Sequence, residues 1–536
     1  MDAVPKPLTL IFRLALASTA AVLSAGCAGP GNVRSSAASV PVAPVRAVVS
    51  LPAASDAALT ADYTALNRLT WGASSSSMAQ FMKQGRAAYI QAQLHPGPDS
   101  LPPEAQAQID RLSGIRRPLT DLIQDLEQQR KDADALRDDD AKKAAQKAYQ
   151  QALNDLQREA ATASLLRAVY SPNQVQEEMT WFWFNHFSVH QGKHNVRAML
   201  GDYEARAIRP HVLGRFRDLL GAIVMHPAML RYLDNDQNAD GHINENFARE
   251  LMELHTLGVD GGYSQTDVQQ LAHILTGLGV NQGNNKPGMG KNLAGYYVRQ
   301  GLAEFNPQRH DFGAKTLLGQ PIKGKGLDEV QEALDRLASH PATARFICTK
   351  LARFWLADAP PPELVQQMVG AYQSSQGQIA DVLAVLFNAP VFAHAPAQQF
   401  KDPVRYVVSA VRLAYDQKVV LNVGPMIYWL NRMGEPLYGR LTPDGYPLQS
   451  SAWSSPGQMA TRFEIAKAIG SGSAGLFKTE GPQPVERPAF PQLANPLYHQ
   501  GMARTLSPAT LQALDQANSP QEWNTFLLAS PEMMVR

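Results

Sequence analysis

The chain has 536 residues, of which 49 are Lys or Arg and 48 are Asp or Glu, and 45% are hydrophobic. That apolar share is normal for a globular protein and supports a sizeable core. A formal net charge of +1 carries no electrostatic footprint for nucleic acid and argues against steering of a highly charged polymer.

The chain opens with Lys6 and Arg13 ahead of an apolar run from Leu14 to Ala25, which ends in LSAGC at Cys27. The run is shorter than the roughly 20 residues that a bilayer span needs. Small residues before a cysteine read as a lipobox: residues 1–26 form a lipoprotein signal peptide, cleaved so that Cys27 carries the lipid. Ser24 stands where Leu is commoner, with Leu23 one place earlier. Ala28 follows the Cys, and by resemblance to Gram-negative sorting this favours the outer membrane, facing the periplasm. From Cys27 to Ala58, an Ala-, Ser- and Pro-rich stretch without helical period reads as a flexible tether. The other cysteine, Cys348, lies among Phe346, Ile347 and Leu351 and reads as a buried small hydrophobe.

Residues 59–536 read as a single large all-α domain, with strands confined to short pieces. Residues 119–166 carry apolar residues at three- and four-residue spacing (Leu119, Leu122, Leu126; Tyr149, Leu153, Leu156, Ala160) with almost no Gly or Pro. The run from Arg137 to Lys143 interrupts them, predicting a charged antiparallel helical hairpin that protrudes from the body and is dispensable for folding between Thr120 and Ala163. Met179 to His190, aromatic on every side, predicts a buried helix. Asn244 to Val259 reads as a helix capped by Asn244, with Glu245 in its first turn and Gly258 closing it in a left-handed conformation. The next begins at Ser264, with Asp267 three residues on in a capping box. Asn281 to Leu293 is a long loop, and Leu437 to Gln458 is irregular in the way that functional loops often are.

Candidate chemistry follows these elements. His186, His190 and His194 would form a stripe suited to a metal if the helix continued, although Val189 and Gly192 argue against that. Glu250 and Glu253 share a helix face and suit acid–base work or a shared metal; the bland alternative is a salt ladder through Glu245, Arg249 and Glu253. DQNADG, Asp236 to Gly241, begins like a calcium loop, but Phe247 stands where its last carboxylate belongs. His310 and Asp311 fit a base with its orienting carboxylate, or a turn held by an Asx-type bond. Nucleophile elbows, phosphate loops and dinucleotide fingerprints are absent.

In order along the chain, LNRLTWGAS, WFWFNHFSV, LDNDQNADGHINENFARELMELHTLGVDGGYSQTDVQQLAHILTG, RHDFGAKTLLG, HPATARFICTKLARFWLAD, KDPVRYVVSAVRL, MGEPLYGRLTPDGYPLQSSAWSSP and LLASPEMM resemble the bacterial family known as domain of unknown function 1800. The resemblance runs from Leu66 to Met534 and departs at TGLG, where the family commonly has Trp, and in a longer hairpin. It implies an exported, largely helical protein, often encoded beside an exported sulfatase- or phosphatase-like one, and no known reaction; cofactor and metal stay open. The residues support two expectations. The favoured one is an outer-membrane lipoprotein that binds or assembles an envelope partner. The alternative is an envelope hydrolase acting on glycan or another polymer, metal-assisted or not, built on His186, Glu250, Glu253, His310 and Asp311.

Overall fold

The computed structural model describes residues 56–283, 285–478 and 490–536. The signal peptide, Cys27 and nearly all of the tether lie outside the described residues. Regular structure starts with the helix Asp56–Leu69, two residues before the expected tether end.

Among the described residues there are 24 α-helices and two small antiparallel sheets. The first sheet places Ala303–Phe305 between Leu278–Val280 and Val298–Gln300; the second is the hairpin Thr316–Leu317 and Gln320–Pro321. The fold is mostly helical, as the periodicity requires. One contiguous apolar core runs from Tyr63 to Met534. None of the described helices is long and apolar enough to cross a membrane.

The charged hairpin consists of Leu119–Ala135 and Asp139–Tyr170. Its turn falls slightly earlier than expected because Asp138 caps the second helix, accepting from the Ala141 amide at 2.8 Å. Only its outer part projects. Leu122, Ile123, Leu126, Leu153, Leu156 and Ala160 are buried, Arg197 bonds to Gln150 and Asn154, and Arg412 donates to the Val169 carbonyl. The dispensable region is therefore shorter than Thr120 to Ala163.

The aromatic helix is Gln174–His186, with every residue but Gln176 buried. It stops at His186, so His190 and His194 leave the helix and no histidine stripe forms; His194 takes a positive φ of 47°. At its buried face Glu178 receives Arg405 and Arg536, each at 3.0 Å. One carboxylate thus joins the aromatic helix to the helix Pro403–Tyr415 and to the chain end. The chain end also pairs as an extended bridge, Phe400 with Val535.

Replacing Gln128 to Lys147 with a short Gly-Ser linker should change unfolding free energy by no more than about 1 kcal/mol, since surface ion pairs contribute little. Excising Thr120 to Ala163 removes several buried leucines at about 2–5 kcal/mol each and should abolish cooperative unfolding. Urea denaturation of both variants checks this.

Candidate functional site

His186 sits where the aromatic helix ends, and its ring is walled by Phe182, Trp183, Phe187 and Phe346 at centroid distances of 6.2, 5.4, 4.6 and 6.1 Å. Its Nε2 lies 3.0 Å from the His255 carbonyl, and the Lys350 ammonium lies 2.8 Å from its Nδ1. A carbonyl only accepts and an ammonium only donates, so the tautomer follows: Nε2 carries the proton and Nδ1 accepts from Lys350. Burial, and then the charge of Lys350, hold the His186 pKa well below the usual imidazole range. His186 is thus a neutral strut between two helices.

His255 comes from the segment that carries the acidic helix. The regular helix there is Asn246–Glu253, shorter than Asn244 to Val259. Asn244 caps by an Asx turn to the Asn246 amide rather than as the last residue before the helix. At the other end, the amides of His255 and Leu257 reach back five residues, to Glu250 and Met252. This widened turn rotates His255 inward, 5.9 Å centroid to centroid from His186, before Gly258 ends the segment at φ +82°. Both ring nitrogens of His255 are buried and make no well-formed hydrogen bond among the described residues, with the Pro443 backbone nearby. Burial and then Lys350 push its pKa down to about 3.

The irregular loop after Leu437 closes over this pair. Asn185 clamps it, donating to the Tyr446 carbonyl at 2.9 Å and accepting from the Tyr446 amide at 2.6 Å. Gly445 makes the approach feasible: at φ +77°, a Cβ there would sit 2.0 Å from the Asn185 carbonyl oxygen. The clamp brings Asp444 into the electrostatic neighbourhood of Lys350 and Glu250. Burial lowers the Lys350 pKa to about 8, partly offset by Asp444.

Glu250 and Glu253 lie on the solvent side of this assembly, half-buried. The salt ladder forms elsewhere: Arg249 pairs with Glu245 at 2.9 Å and also bonds to Gln265. Among the described residues neither the Glu250 nor the Glu253 carboxylate makes a hydrogen bond or ion pair. Burial, followed by repulsion from Glu253, raises the Glu250 pKa. In Asp444 burial is outweighed by its bonds to Arg440 and Thr442, and the pKa is lowered.

His310 and Asp311 belong to a different environment. The His310 ring nitrogens reach the Thr276 carbonyl at 2.8 Å and Glu329 at 3.2 Å, and Lys315 pairs with Glu329 at 2.8 Å. Asp311 holds His273 at 2.7 Å and caps its own turn through the Gly313 amide. Burial raises the Glu329 and Asp311 pKa values, but these bonds outweigh it and both are lowered. No hydrogen bond, ion pair or ring contact joins His310 or Asp311 to His186, Glu250 or Glu253. Two of the three segments meet, through His255, and the third stands apart.

Asp236, first residue of the DQNADG run, lies near Arg231 at 3.9 Å. Among the described residues no group of three or more His, Cys, Asp or Glu side chains is placed to hold a metal ion. Lys350, Asp444 and Asn185 escaped the sequence reading. Their only signals were the single lysine of a helix that also carries Arg345 and Arg353, an acidic turn and an amide inside an aromatic run.

These features define a mostly helical protein whose motif histidines are built into its frame. The chain belongs to the family described as "Protein of unknown function (DUF1800)", which matches residues 64–535. No curated protein and no solved structure matches it.

The two lowered histidines predict a pH dependence. A histidine kept neutral in the fold protonates only in the unfolded chain below about pH 6.5, so its stabilisation is complete above that pH and lost as pH falls. For His255 the loss continues down to about pH 3. Each such histidine should cost about 2 kcal/mol between pH 6.5 and 5. Denaturation at the two pH values should show a smaller drop in His255→Leu than in the parent, and equal drops would contradict the assignment.

Proposed function

We propose that the chain is an exported lipoprotein, held in the outer membrane by a lipid on Cys27, whose helical domain binds an envelope partner. One observation carries the binding reading. Among the described residues the Glu250 and Glu253 carboxylates meet no donor, and Val259 and Leu441, both with most of their surface exposed, lie on the segments flanking them. Unpaired carboxylates beside exposed aliphatic side chains suit a partner with a basic, partly apolar contact surface. His186, Lys350 and Asn185, fixed by their own bonds, hold that face in place and are not free for chemistry. The exported sulfatase- or phosphatase-like neighbour implied by the family resemblance is the first partner to test.

A hydrolase reading draws on a separate fact: Glu250 is shifted up and Asp444 down, the separation an acid and a base require. The two readings diverge under substitution. If the face binds a partner, Leu441→Asp and Glu253→Gln should each weaken association with the phosphatase-like neighbour at least tenfold, about 1.4 kcal/mol. Both should also fail to complement a deletion. If the site hydrolyses a polymer, Glu250→Gln fails to complement while Leu441→Asp succeeds. Cys27→Ser should leave the membrane fraction; retention there would contradict the anchor.

A further inference from the structure

A cavity of about 760 Å³ lies between the helix Asp56–Leu69, the segment 393–397 and the chain end at 533–536. Its volume is in the range of small-molecule sites. The wall residues include Thr60, Thr64, several alanines, Met533 and Lys401.

Lys401 is only 4% exposed and has no carboxylate partner among the described residues. Its ammonium donates to the Ser409 hydroxyl at 3.2 Å and touches the Met533 sulfur at 4.0 Å. An ammonium has three donors, and these contacts leave one without a protein acceptor. Among the surrounding charges only Asp402 favours the ammonium, and it is outweighed. Arg405, Arg462 and Arg536 crowd it, and the nearby acids serve other groups. Glu178 holds Arg405 and Arg536, Asp402 holds Arg405, and buried Glu435 accepts from the Val404 amide. At the rim, Glu532 accepts from the Ser507 amide and the Thr510 hydroxyl, and Asp56 pairs with Arg504. Tyr63 and His394 complete the titratable side chains of the wall.

We infer that this cavity binds a small organic carboxylate, whose oxygens pair with the Lys401 ammonium while its carbon chain lies along the alanines and Met533. A buried cation without a counter-ion is costly, and a ligand carboxylate supplies the missing partner through charge-assisted hydrogen bonds. Burial and the three guanidiniums lower the empty-site Lys401 pKa to about 7. The bound anion raises it, so binding takes up a proton at pH 8 and almost none at pH 6.

The test uses the full chain in non-ionic detergent and butyrate as the probe, titrated by calorimetry in buffers of different ionisation enthalpy. Butyrate should bind at least tenfold more tightly than n-butanol or n-butylammonium. Uptake should approach about one proton at pH 8 and fall toward zero at pH 6. Lys401→Met should lose at least tenfold in affinity and the proton uptake. Thr64→Trp, which blocks the cavity from a half-exposed position without touching Lys401, should lose binding too, and it decides the matter if Lys401→Met fails to fold. Absence of butyrate binding, equal affinity for butanol, pH-independent uptake, or binding that survives Thr64→Trp would each overturn the inference. None of these outcomes depends on the partner-binding reading.

Discussion

Glu178 is a carboxylate buried completely inside an aromatic helix, and the arrangement of the helical body depends on how its charge is met. Removing a carboxylate from water costs several kcal/mol even after relaxation. The cost is offset because two guanidiniums, Arg405 and Arg536, converge on one oxygen at 3.0 Å. Those cations lie 227 and 358 residues away in the chain, so their meeting fixes three remote segments at once. Arg405 also packs over the Phe354 ring, 4.0 Å from its centroid. Arg536 continues to the carbonyl of Phe354 and the amide of Gln399. The aromatic helix, the helix Pro341–Trp355 and the chain end are thereby held in one polar knot inside an apolar core.

From this knot the helix runs on to Asn185 and His186, which present two further fixed contacts to the loop after Leu437 and to the end of the acidic segment. The logic is the same at each step: a polar group inside the body is met by a partner from far along the chain. His310, Asp311, Lys315 and Glu329 obey it in their own cluster. Glu250 and Glu253 do not. They sit half-buried, without partners, on the outer side of the histidine pair. Two adjacent carboxylates left unmet at the surface of this body concentrate its functional capacity there.

Local pattern made much of this legible. Helical period gave the fold class, the hairpin and its turn to within a few residues, and the Ser264–Asp267 capping box appears as read. These depend on neighbours three or four residues apart. Whatever depends on distant partners stayed hidden. Spacing offered Arg249 two carboxylates, Glu245 and Glu253; Gln265, joining from the next helix, bonds both Arg249 and Glu245. The acidic helix ends early in a widened turn that carries His255 inward beside His186. The hairpin's inner half looked solvated because Leu153 and Leu156 pack against elements that no local window contains. Glu178 looked like one more acid in a helix, since nothing nearby in sequence announces Arg405 or Arg536.

The division between carboxylates that build the body and carboxylates that face outward can be measured directly. Equilibrium unfolding of Glu178→Gln and Glu253→Gln at pH 7 compares one of each. Breaking the buried knot should cost about 3–5 kcal/mol, because two guanidiniums lose their counter-charge. Neutralising Glu253, which has no partner to lose and repels Glu250, should leave stability unchanged or slightly raised. A small loss for Glu178→Gln together with a large one for Glu253→Gln would contradict the account.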